Sequence, residues 1–105
     1  MSADRRYINA AQQRVLQMLL RLAGHEIEGI APSELALALR TSPSNVTRDL
    51  ANLREAGLAE PIDETINRWR LAPRIVQISL ATGAALAKAQ DRLTDARQRF
   101  STHPH

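Results

Sequence analysis

The chain has 105 residues, enough for one domain, and no cysteine, which excludes disulfides, thiolate catalysis and cysteine-based zinc sites. Hydrophobic residues make up 44% and aromatics only 3%, so the core must come from Leu, Ile, Val and Ala, a composition that favours helices. The net charge is +3 and the isoelectric point about 10.5, which suits a polyanionic partner, and no apolar run reaches the roughly 18 residues needed to span a bilayer.

Asn9 is a candidate N-cap, and Val15, Leu16, Leu19, Leu20 and Leu22 follow it at helical spacing. They predict a first amphipathic helix over about 10–23, stopped by Gly24. Ile30 and Ala31 suit a very short strand. Pro32 then sits where a first helical turn tolerates it, and Leu35, Leu37, Ala38 and Leu39 supply apolar positions for a second helix over 32–39.

Ser42-Pro43 is a restart signal, a hydroxyl cap followed by proline. The third helix is predicted over 43–56, with Val46, Leu50 and Leu53 inward and Gly57 as its stop. Leu58 to Glu60 and Asn67 to Leu71 predict two short strands around a turn, with Trp69 and Leu71 on one face and Arg68 and Arg70 on the other. From Pro73 a long last helix runs to about Phe100. The expected class is mainly α with a small β-hairpin. The expected division is 1–72 as a winged helix-turn-helix DNA-binding domain, 73–100 as a dimerisation helix and 101–105 as a disordered tail.

Helix, tight turn, helix and hairpin in that order form a helix-turn-helix with a wing. Such a unit offers the N-terminal part of its second helix to the major groove. Asn45 can pair with adenine and Arg48 with guanine or a phosphate, while Ser42, Ser44 and Thr47 are short donors and acceptors. Asn52 lies further along, within reach of the DNA backbone. Arg68 and Arg70 on the wing, 61–70, are candidates for the backbone or the minor groove. Arg5, Arg6 and Arg14 can add phosphate contacts or serve only solubility.

The segments Ala31 to Ala36, Ser42 to Leu58 and Arg68 to Pro73 resemble the N-terminal DNA-binding domain of IclR-type bacterial regulators. MarR-like winged helices are a second resemblance. The IclR resemblance covers about 9–80 and implies a recognition helix at 43–56 and homodimers on partly palindromic operators. Full-length IclR-type proteins carry an effector domain for which this chain leaves no room, so no small-molecule effector and no cofactor is expected. A free-standing repressor of phage or mobile-element type, acting in the cytoplasm, is the expectation.

Charge is uneven. Residues 25–60 hold three arginines and six acids, and Asp63 and Glu64 mark the wing tip. That acidic middle supports a rival reading, a winged-helix module that binds protein as adaptor or inhibitor. In the last helix Ile75, Thr82, Leu86, Ala89, Leu93, Ala96 and Phe100 fall on a seven-residue a/d pattern with Ser79 as a polar break, which suits either a homodimer or packing on the chain's own first helix.

Catalysis has little to stand on. His25 to Glu28 lacks a second histidine at ligand spacing, His103 and His105 lie in the tail, and the four glycines form no phosphate loop. Neither a metal site nor an enzyme is expected.

Overall fold

The computed structural model describes residues 4–102. Its elements are a 3-10 turn at Arg5–Tyr7, α1 (Ala10–Leu22), α2 (Pro32–Leu39), α3 (Pro43–Glu55), β1 (Ala59–Pro61), β2 (Trp69–Leu71) and α4 (Pro73–Thr102). The protein is a winged helix-turn-helix with a long C-terminal helix. Two compact units divide the chain, one ending at Ile75 and one beginning at Val76.

In the first unit every helix start has a local cause. The Asn9 side chain accepts from the Gln12 N–H at 3.0 Å and opens α1. Glu34 reaches back to the Ala31 N–H at 3.4 Å at the start of α2, and Ser42 Oγ accepts from the Asn45 N–H at 3.2 Å at the start of α3. The ends are equally explicit. Gly57, at φ +77°, donates to the Arg54 carbonyl while the Leu58 N–H reaches the Leu53 carbonyl, both at 2.9 Å. These two bonds satisfy carbonyls that the helix leaves free.

The end of α2 uses the same pair of bonds without glycine. Arg40 adopts φ +52°, its N–H meets the Leu37 carbonyl, and the Thr41 N–H meets the Ala36 carbonyl at 3.0 Å. A left-handed non-glycine residue costs on the order of 1 kcal/mol. The left-handed step, not the strain it carries, turns the chain directly into α3.

Met18, Leu22, Ile30, Leu35, Val46, Leu50, Leu53 and Ala59 form the core, and Val15, Leu19, Ala36, Leu39, Leu58, Trp69 and Leu71 pack around it. The inward stripe of α3 is as expected. That of α1 is not: Leu16 and Leu20 are 51% and 67% exposed, and Met18 takes the central place. Residues 15, 18, 19 and 22 share one helical face, and 16 and 20 are rotated away from it. On α2, Leu37 is exposed for the same reason.

The wing is an antiparallel pair with Ala59 opposite Leu71, Glu60 opposite Arg70 and Pro61 opposite Trp69. Ile30 adds an isolated bridge to Trp69, with N–H to carbonyl distances of 2.8 and 2.9 Å. The short strand expected at Ile30 is therefore a third rung. Gly29 lies beneath it at φ +71°, and a Cβ there would come within 2.9 Å of Ile62. Only glycine fits both that backbone and that spacing.

In the second unit, α4 runs to Thr102, two residues beyond the expected helix end. Residues 103–105, including the tail histidines, lie outside the described residues. No residue of 76–101 is buried, and Leu86, Leu93 and Phe100 are all exposed. The Thr82 hydroxyl donates to the Ile78 carbonyl at 3.1 Å. Ala89 is exposed, Ala96 half-buried, and Ile75 is half-buried at the end of the first unit. Among the described residues no helix is long and apolar enough to cross a membrane, and no acid or histidine cluster could hold a metal ion.

Candidate nucleic-acid interface

The face of α3 opposite Val46, Asp49, Leu50 and Leu53 carries the polar residues singled out by their spacing. Ser42 is committed to the cap, and Ser44 stands exposed on the first turn. The Asn45 side-chain amide donates to Thr41 Oγ1 at 2.9 Å, which ties the turn to the helix and half-buries it. The Thr47 hydroxyl donates back to the Pro43 carbonyl at 3.1 Å, and the Asn52 amide to the Arg48 carbonyl at 2.8 Å. Each of these keeps spare donor or acceptor capacity. Arg48 is exposed, and among the described residues its guanidinium has no ion pair.

The wing arginines sit differently. Arg68 Nε and Nη2 donate to the carbonyls of Glu28 and Gly29, both at 2.9 Å, and Nη1 lies 3.5 Å from the Glu34 carboxylate. Arg70 pairs with Glu60 at 2.9 Å across the strands and reaches the Glu26 carbonyl at 3.5 Å. Both side chains hold the wing to the connector between α1 and α2. The wing tip is shaped by Asp63, whose Oδ1 accepts from the Thr65 N–H, the Thr65 hydroxyl and the Ile66 N–H at 2.7, 2.7 and 2.9 Å. Those bonds, the Thr65 hydroxyl first, hold its carboxyl below the usual carboxylate range.

One pair escaped the spacing argument. Asp49 is 5% exposed and takes a two-pronged ion pair from Arg14 on α1, with Nε at 2.5 Å and Nη2 at 3.0 Å. The Asp49 hydrogen bonds raise the Arg14 guanidinium further above its usual value. Arg14 therefore has an internal partner, as has Arg6, which pairs with Asp4 at 2.8 Å. A signal did exist: Asp49 lies between Val46 and Leu53 on the inward stripe, and a charge at such a position needs a partner. An open groove of about 310 Å³ lies between α1 and α3, lined by Gln12, Arg14, Val15, Arg48, Asp49 and Asn52 among others.

A family model described as "Helix-turn-helix domain" matches residues 7–62, just over half the chain. No curated protein matches. Among solved structures, a putative IclR transcriptional regulator from Silicibacter sp. TM1040 superposes at TM-score 0.57 and 24% identity, covering 86% of this chain and 33% of that one. This chain thus spans a third of that regulator's length. IscR from T. potens matches at TM-score 0.55 and 19% identity over 93% and 92% of the two chains. The Zα domain of Cyprinid herpesvirus 3 ORF112, described in its binding mode to Z-DNA, matches at TM-score 0.51 and 23% identity over 57% and 93%. At these identities the likeness is one of fold. The match over residues 7–62 goes further, and it places this chain in the helix-turn-helix domain family.

Proposed function

We propose that the protein is a sequence-specific double-stranded DNA-binding transcription regulator that works as a homodimer and is not an enzyme. The observation that carries the reading is the division of α3. One face is sealed against the core, and the other leaves Ser44, Thr47 and Arg48 exposed directly after a tight turn. With α3 in the major groove, Arg48 and Asn45 reach base edges, Ser44 and Thr47 serve phosphates or bases, and Asn52 lies against the backbone. The α3 N-terminus adds N–H groups favourable to a phosphate. Arg68 and Arg70 brace the wing first and meet the backbone only through donors their internal bonds leave over.

Pairing of the charges weakens the case for a protein partner that the acidic middle suggested. Asp49, Glu60 and Glu34 each face an arginine, so the acidic middle is in part internally neutralised. Homodimerisation is read from α4, whose a/d positions from Thr82 to Phe100 offer Leu86, Leu93 and Phe100 to solvent. Two copies would place half-sites about one helical turn apart, ~34 Å. The regulator would act where the duplex is, in the cytoplasm, and repression is the simplest outcome of occupying an operator.

Selection of bound duplexes from a random library tests the reading, since it returns half-site, symmetry and partner class together. An enriched palindrome lost on Arg48→Ala is expected. A folded protein that enriches nothing at low salt would instead favour the protein-binding module. Sedimentation of Leu86→Asp and Leu93→Asp tests the dimer; unchanged mass rejects α4 as its seam.

A further inference from the structure

We infer that Arg14 is a positioning residue of the DNA-binding face: it silences the Asp49 carboxylate in the α1–α3 groove so that Arg48 sets the charge this groove offers to the duplex. The inference rests on the DNA-binding reading above. Arg14, Arg48 and Asp49 are the ionisable residues of one groove. Two cations and one anion leave a single net positive charge. Arg14 and Asp49 hold each other through two parallel bonds at 2.5 and 3.0 Å, so the unpaired charge belongs to Arg48. The geometry is that of the strong, planar guanidinium–carboxylate fork.

A carboxylate at the groove floor without its partner would act against any phosphate approaching Arg48. It is held by the helix that carries Arg48, one residue further along, so its field travels with that residue. Arg14 comes from the other wall, 35 residues earlier in the chain. The ion pair therefore joins two tasks. It fixes α3 against α1 at a point where the inward stripe has a charge instead of a methyl group, and it cancels that charge beneath the reading face.

The test is the salt dependence of duplex binding at one fixed pH. For Arg14→Gln the slope of log affinity against log salt should become shallower by about one, the signature of one lost phosphate neutralisation. Arg14→Gln with Asp49→Asn should restore it, because the opposing charge is gone. If the double variant stays shallow, Arg14 itself touches a phosphate and the inference is wrong. If Arg14→Gln weakens binding with no change of slope, the pair is only structural and the inference is wrong again. Should Arg14→Gln not fold, Asp49→Asn asks the question with opposite sign: its slope should steepen by about one, and an unchanged slope overturns the inference. A wild-type protein that binds no duplex defeats the DNA reading, and with it the role of Arg14 at a DNA-binding face.

Discussion

Arg48 on α3 and Arg68 on the wing are the same residue type put to different uses. Arg68 ends against two backbone carbonyls and a carboxylate, whereas Arg48 ends in solvent. The difference lies in what surrounds them. The wing is two strands of three residues, too short to stand alone, and Arg68 ties it to the connector carbonyls of Glu28 and Gly29. The third helix is already fixed by its cap, its core stripe and the Arg14 pair, and can leave a cation unemployed. An arginine is available for recognition only where other forces have already settled the backbone.

That contrast can be broken experimentally, beginning with the largest effect. Arg48→Ala should weaken specific DNA binding by about 1–3 kcal/mol, read in a titration against the selected site, with the melting midpoint almost unchanged. A large fall in stability would place Arg48 on the wing's side of the comparison. Gly29→Ala should cost about 1–3 kcal/mol in denaturant unfolding, since it combines a left-handed φ with contacts of 2.9–3.0 Å to Ile62 and Arg68. Hydrogen exchange should localise the loosening to the wing and spare α3.

Ser42→Ala should remove about 1 kcal/mol by freeing the Asn45 N–H, and Ser42→Gly should recover most of it. Arg68→Ala should cost about 1 kcal/mol or less, because the side chain is partly solvated, and should make the salt slope of DNA binding shallower by well under one, because most of its donors are spent inside the protein. A slope shallower by a full unit would put Arg68 on a phosphate as fully as Arg48.

The smallest effect is at the wing tip. The Asp63 carboxyl titrates below its ordinary value of 3.8, so its contribution to stability is present above that pH and lost as pH falls through the lower, folded value. Amide shifts of Thr65 and Ile66 followed below pH 4 should report the release before any change in α3.

The comparison also explains what the sequence made legible. Ser42-Pro43, Gly57 and Pro32 act within a few residues of themselves, so the bounds of α2 and α3 could be read almost to the residue. The Ile30 strand was legible because β-branched and small residues sit between a glycine and a proline. Long-range charge pairing was not. Arg14 looked like one more cation on a polar face, and only the fold brings it to Asp49. The engagement of Arg68 and Arg70 was hidden for the same reason, since their acceptors include main-chain carbonyls, which every residue has. On α1 a run of leucines blurred the inward face, and the wheel had room for two stripes until α2 and α3 selected Met18 and Leu22.

The Ile30–Trp69 bridge has a consequence for how a duplex would be met. Because the hairpin is stitched to the segment ahead of α2, it cannot swing about its own base like a free finger. The distance between its tip and the start of α3 is a fixed gauge. A duplex that engages both must bring its own groove width and curvature to that gauge, so stiff and pliable base steps would be told apart even where no side chain touches them.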